Sequence, residues 1–195
     1  MAKKINPPLA LRIPQKILQD ADLRDYFRET QFILFQLAQF VEQTNKYGSF
    51  YDTTTQTAAA TNTAYAITFN NTDLSAGVSI STPTSRITVD APGVYNFQHS
   101  IQIINTSGGA HSLWIWFRKN GVDIPDSATE VRVQGNNTEQ FAAWNCFVPM
   151  DVNDYFEIMW SVDNTAVRLL AVAASSPVPA VPSVILTVNY VGYEV

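Results

Sequence analysis

From Gly93 to Ile104 the chain alternates without a break. Tyr95, Phe97, His99, Ile101 and Ile103 fall on one side, and Asn96, Gln98, Ser100 and Gln102 on the other. A period of two is that of a β-strand with one buried face. The run follows Ala91-Pro92-Gly93, a strong turn signal. One strand cannot bury its own apolar side, so a sheet must form around it. The chain beyond residue 47 supplies further strands. Ser49–Thr55 is a candidate first strand, and Tyr65–Phe69 alternates before a turn at Asn70-Asn71-Thr72-Asp73. Val78–Ser81 and Ser85–Val89 flank Thr82-Pro83. His111–Lys119 carries Leu113, Ile115 and Phe117 on one face, and the Asn120-Gly121 that follows predicts a tight hairpin. Val131–Gln134, Thr138–Met150, Tyr155–Val162, Ala166–Ala173 and Ser183–Val191 complete the set. About ten short strands at regular spacing, with no helix among them, predict an all-β sandwich or barrel.

A different period precedes this domain. In Asp20–Thr44 no Gly or Pro interrupts a recurrence of Leu23, Tyr26, Phe27, Ile33, Leu34, Leu37, Phe40 and Val41. With Leu23 as heptad position a, the a sites are Leu23, Thr30, Leu37 and Thr44, the d sites are Tyr26, Ile33 and Phe40, and the e sites are Phe27, Leu34 and Val41. The spacing predicts a helix capped by Asp20 or Asp22. Its stripe is wider than a two-stranded seam, which suits a three-helix bundle between chains or a helix in another protein's groove. Packing on its own domain is the third option. Residues 1–19 set Pro7, Pro8 and Pro14 among Ile5, Leu9, Leu11, Ile13, Ile17 and Leu18. Prolines forbid a continuous helix, so an extended segment lying along a partner is expected, with a disordered terminus as the alternative. The organisation is then 1–19 as extended anchor, 20–46 as helix and 47–195 as the β domain.

Composition sharpens this picture. Only 15% of the 195 residues are charged, against about 25% in soluble domains. Strands such as His111–Lys119 and Ser183–Val191 are apolar on both faces, which argues that other subunits cover one sheet. The net charge of −5 and pI near 4.9 argue against nucleic-acid binding. No apolar run is long enough to predict a membrane-inserted span. Met1–Lys4 leads into Asn6-Pro7-Pro8 rather than an apolar stretch, so no secretory leader is expected. The one cysteine, Cys146, lies in an apolar run and reads as a buried inert thiol.

Four stretches carry a family resemblance: Ser85-Arg-Ile-Thr-Val-Asp-Ala-Pro-Gly-Val-Tyr-Asn-Phe97, Trp116-Phe-Arg-Lys-Asn-Gly121, Val152-Asn-Asp-Tyr-Phe156 and Pro182-Ser-Val-Ile-Leu-Thr-Val188. In this order, residues 48–193 resemble the C1q/TNF-like jelly roll. Asn153-Asp154 stands where that family commonly has Gly-Asp. Trp144-Asn145, Met159-Trp160-Ser161 and the Pro-x-x-Pro-Ser entry to the last strand are similar to the version found in tailed-bacteriophage structural proteins. Ile13-Pro-Gln-Lys-Ile17, Tyr26-Phe27-Arg-Glu and Phe35-Gln-Leu37 resemble short virion proteins of marine and freshwater phages, the cyanophage-like kind. The resemblance implies a homotrimer in the virion, with inner-sheet aromatics near the threefold axis. Trp144 and Tyr190 are candidates for that place, with ordinary core packing as the alternative. Together with Leu23, Phe27, Ile33, Leu34, Leu37 and Val41 they form the expected anchor and oligomer contacts.

Catalytic, cofactor and metal residues are not expected. His99 lies on the apolar face and is expected to be a hydrogen-bonded interior or interface residue. His111 reads as a loop residue, without nucleophile context for a Ser-His-Asp site. Asp123, Asp126 and Glu130 cluster at one hairpin, and Asp151 and Asp154 at a turn. Such groups can bind Ca²⁺ or do glycan chemistry, but turns favour Asp for its local hydrogen bonds. Three readings remain. One is a virion fibre, spike or decoration protein that grips other virion proteins through residues 1–44. Another is a module whose loops, Asn105–Ala110 or Asn136–Asn137, bind a host surface receptor or glycan. The last is a secreted C1q-like protein, disfavoured by the absence of a leader and of a collagen-like stalk.

Overall fold

The computed structural model describes residues 20–193, without the side chains of Gln39, Phe40, Glu42, Gln43 and Thr44. The extended segment expected over residues 1–19 lies outside the described residues. The chain divides between Asn45 and Lys46 into two compact units. The first holds helix α1, Ala21–Thr44. Asp20 caps it, its carboxylate accepting from the N–H groups of Asp22 (3.1 Å) and Leu23 (3.2 Å). Two donors that the helix cannot satisfy internally are thereby paired.

The second unit is all β. Its strands are β1 Tyr47–Asp52, β2 Gln56–Thr57, β3 Tyr65–Ala66, β4 Asn71–Ala76, β5 Val78–Ile80, β6 Ile87–Val89 and β7 Gly93–Asn105. They continue as β8 Ala110–Lys119, β9 Val122–Asp123, β10 Thr129–Gln134, β11 Thr138–Met150, β12 Tyr155–Val162, β13 Val167–Leu169 and β14 Val184–Gly192. One antiparallel sheet runs β4-β1-β14-β7-β11, with β13 and β2 added beside the far end of β7. The other runs β10-β8-β12-β6-β5, with β3 on β12 and β9 on β8. The principal strands alternate between the two sheets in the manner of a double-sheet jelly roll.

β7 is the strand that the rest of the sheet is built on. β11 pairs with it along its whole length, from Gly93↔Met150 to Asn105↔Thr138, and β14 pairs on the opposite edge from Val94 to Ile101. Its alternation does the work expected of it: Tyr95, Phe97, His99, Ile101 and Ile103 are all buried between the sheets. There they meet Leu113, Ile115 and Phe117 of β8 and Phe156, Ile158 and Trp160 of β12. Each such apolar side chain gains about 2 kcal/mol by leaving water. Gly93 is required where it stands. Its φ is +147°, and a Cβ there would lie 2.3 Å from the Tyr190 ring and 2.9 Å from the Gly192 carbonyl. Asn120 and Gly121, with φ of 50° and 80°, turn β8 into β9 as expected.

The structure corrects three local expectations. Asn70–Asp73 is not a turn: Asn71–Ala76 is a strand paired with β1. Its side chains are largely exposed, so the backbone ladder alone holds this edge and the polar residues cost nothing there. Tyr65–Phe69 is a strand only at Tyr65–Ala66, although Ile67 and Phe69 are buried. Ala166–Ala173 is a strand only over Val167–Leu169, with Val172 in an isolated bridge to Val181.

Candidate functional site

Within α1 the expected stripe is on the surface. Leu23, Tyr26, Ile33, Leu34, Leu37 and Val41 are 44–65% exposed, and Phe27 is half-buried with its ring edge-on to Tyr26 at 6.2 Å. The side chain of Phe40 lies outside the described residues. Two aromatics fall off the stripe. At 100° per residue, Phe32 and Phe35 project from other sides of the helix, at heptad positions c and f, and they are 61% and 49% exposed. Heptad bookkeeping passes over them because it registers only the seam.

A second exposed surface is the outer face of the β11-β7-β14 sheet. Its outward positions are Glu139, Phe141, Ala143, Asn145, Phe147 and Pro149 on β11, and Val94, Asn96, Gln98, Ser100, Gln102 and Ile104 on β7. β14 adds Ile185, Thr187, Asn189 and Val191. Glu139 is the only charged residue among them. Phe141 and Phe147 are 71% and 61% exposed. Between them Asn145 donates to the Asn96 carbonyl at 2.9 Å, and Asn96 donates to that of Asn189 at 3.3 Å, a ladder of amides across three strands. The other sheet is different: Arg118, Glu130, Arg132 and Glu157 sit among its outward positions. Along β11, β7 and β14 charge is thus sparse, with Glu139 at one end and Arg168 of β13 beside Ile104, and a charge-poor centre matches the composition of an interface core.

Trp144 and Tyr190 both point the other way. Trp144 lies on the inward side of β11 with Ala142, Cys146 and Val148. Its ring meets His99 edge-on at 4.3 Å and Phe117 at 5.9 Å. With Phe117, Ile124, Ser127 and Val148 it lines a cleft of about 300 Å³ between β11 and the connection leading to β10. Tyr190 is on the inward side of β14, edge-on to Tyr95 at 5.5 Å and to Tyr193 at 5.9 Å. Burial, and then the neighbouring Tyr193, raise its phenol above the usual range. Both aromatics pack within their own chain, and Phe141 and Phe147 are the outward aromatics of β11.

His99 also departs from expectation. It is 2% exposed, and neither ring nitrogen has a hydrogen-bond partner. The neighbouring strands use their polar backbone groups in the ladder, and the rings of Trp144 and Phe117 offer no acceptor. Burial holds its pKa down at about 4, because desolvation penalises the imidazolium. Between the ordinary value of 6.5 and about 4, the unfolded chain takes up a proton that the folded chain refuses. Stability therefore falls as pH drops through that window, by about 3 kcal/mol in full. In urea titrations at pH 7 and 4.5, wild type loses more stability than His99→Leu; equal losses would contradict a neutral, buried imidazole. Cys146 is likewise uncharged, its thiol pushed up to about 12 by burial.

The acidic turn residues are separately engaged. Asp123 accepts from Arg118 at 2.7 Å and from the Trp116 indole at 2.9 Å, and the Arg118 hydrogen bond leads in lowering its pKa. For Asp154, burial alone would raise the carboxyl, but the Asp151 N–H, Lys119 and Asn120 together hold it low. Glu130 accepts from Ser112 at 2.5 Å. Among the described residues, no three His, Cys, Asp or Glu side chains gather as a metal site would require.

No family model and no curated protein matches the chain. Among solved structures, the globular domain of zebrafish complement 1qA protein is similar, with a TM-score of 0.45 and 12% identity over 76% of this chain and 99% of that one.

Proposed function

We propose that this protein is a homotrimeric structural appendage of a tailed-phage virion, held to another virion protein through residues 1–44. The observation that carries the reading is the sheet face: a single chain leaves sixteen outward positions uncovered, only one of them charged. Buried against copies of itself, that face removes Phe141, Phe147, Ile185 and Val191 from water. The helix supports the same assembly and its number. Apolar residues at d and e, with Leu23 and Leu37 alternating with Thr30 and Thr44 at a, make a stripe wider than a two-stranded seam, which suits three helices. Phe32 and Phe35 lie outside that seam and supply contacts for the anchoring partner. The sequence resemblance to phage structural proteins supplies the virion setting. The mechanism is burial: three helices and three sheet faces share apolar surface and resist dissociation without any catalytic step.

Antibody raised against the protein and coupled to gold tests the setting on phage particles from its source. Regular label at one site on the particles is expected. Unlabelled particles in a sample that contains the protein would contradict it.

A further inference from the structure

The loop joining β7 to β8 carries a constellation that the structural role does not use. His111 Nε2 lies 2.7 Å from Ser107 Oγ, and His111 Nδ1 lies 3.5 Å from Asp163 Oδ1. Asn164 Nδ2 stands 3.3 Å from the same Nε2. An amide nitrogen only donates, so Nε2 is the acceptor and the neutral ring carries its proton on Nδ1, toward Asp163. That is the tautomer in which an imidazole takes a hydroxyl proton while a carboxylate orients it. The order Ser, His, Asp along the chain has no bearing, since such sites are defined by geometry.

The scaffold under the loop is fixed. Asn105 is fully buried; its amide donates to the carbonyls of Gly109 (2.9 Å) and Val133 (3.2 Å), and its oxygen accepts from the Ser107 N–H (2.9 Å). Pairing of β8 with β12 brings Asp163 alongside, its N–H on the Ser112 carbonyl at 3.1 Å. Gly109 admits the ring: a Cβ there would lie 2.9 Å from His111 Nε2. Its N–H donates to Ser107 Oγ at 3.5 Å and helps hold the hydroxyl in place.

We infer that Ser107 and His111, oriented by Asp163, form a nucleophilic site that hydrolyses short-chain carboxylic esters. Oγ attacks the ester carbonyl carbon and its proton passes to Nε2. The carbon–alkoxy bond then breaks, and the leaving alcohol takes that proton. Water attacks the acyl-serine and gives a proton to Nε2. The acyl–Oγ bond breaks, releasing the acid, and the serine recovers its proton. Ser107 is half-buried, and a side chain added at its neighbour Gly108 would meet nothing within 4 Å. Clefts of about 300 Å³ beside Pro92, Trp144 and Gly77 are lined by other residues. The site therefore suits a small acyl group that projects from its carrier, such as acetyl, rather than a long chain needing a wall.

The test uses the full chain with p-nitrophenyl acetate, and separately with diisopropyl fluorophosphate followed by peptide mass spectrometry. The fluorophosphate adduct is expected on Ser107. Ser107→Ala and His111→Gln, with unchanged melting temperatures, are each expected to slow ester hydrolysis about 100-fold. Asp163 acts as a positioning residue. Asp163→Asn is expected to lower kcat about tenfold at constant KM, with Asp163→Glu restoring most of the rate. Hydrolysis unchanged in Ser107→Ala, or an adduct on another residue, would overturn the assignment. So would a Ser107→Ala variant that keeps activity which His111→Gln loses, because the imidazole would then be the nucleophile.

Discussion

Phe97→Ala lowers the unfolding free energy by about 4 kcal/mol, the range for truncating a fully buried aromatic. Phe97 is at the middle of β7 and has no exposed surface. Its ring stacks on Phe156 of the opposite sheet at 4.0 Å and 18°, and Tyr95 flanks it at 6.4 Å. Its backbone neighbours are Cys146 on β11 and Val188 on β14. Ladders on both sides hold the strand, so the sheets cannot close over the missing ring and the space persists as a cavity. Phe97→Leu keeps most of the volume and costs about 1.5 kcal/mol. Urea denaturation followed by tryptophan fluorescence measures both. Equal effects of the two variants would show that the site relaxes and that the inter-sheet stack is not the centre of the core.

Charge placed on the two apolar surfaces dissociates the assembly. Leu37→Asp puts a carboxylate into the proposed helix seam, and Phe147→Asp puts one onto the charge-poor sheet face. An unpaired charge buried at a contact costs about 3 kcal/mol per chain, which raises the concentration at half-dissociation more than about a hundredfold. The two residues belong to separate units, so their effects add. The double variant runs as a single chain in light scattering and keeps the wild-type circular dichroism in the β region. Arg28→Gln, outside the seam, leaves the mass unchanged. A double variant that stays trimeric would place the contact elsewhere on the molecule.

Much of this fold can be read from parity along the chain. The alternation of Gly93–Ile104 identifies β7, and the limits of Thr138–Met150 and Tyr155–Val162 coincide with β11 and β12. Asn71–Ala76 was not legible, since a polar edge strand is specified by its neighbour's backbone rather than by its own side chains. Trp144 and Tyr190 show a signal that was present but outweighed. Trp144 shares parity with Ala142, Cys146, Val148 and Met150, and Tyr190 with Val184, Leu186 and Val188. Both sets are apolar and so face inward, which leaves Phe141 and Phe147 as the outward aromatics of β11. The absence of a hydrogen bond at His99 depends on which rings surround it, and no pattern along the chain states that. Ser107, His111 and Asp163 were likewise invisible as a group, because only the pairing of β8 with β12 brings the last beside the other two.

The most direct test of the central claim is the mass of the full chain in solution, by sedimentation equilibrium at micromolar concentration. A single species of three times the 21.7 kDa chain mass is expected. A single-chain mass at that concentration would contradict it.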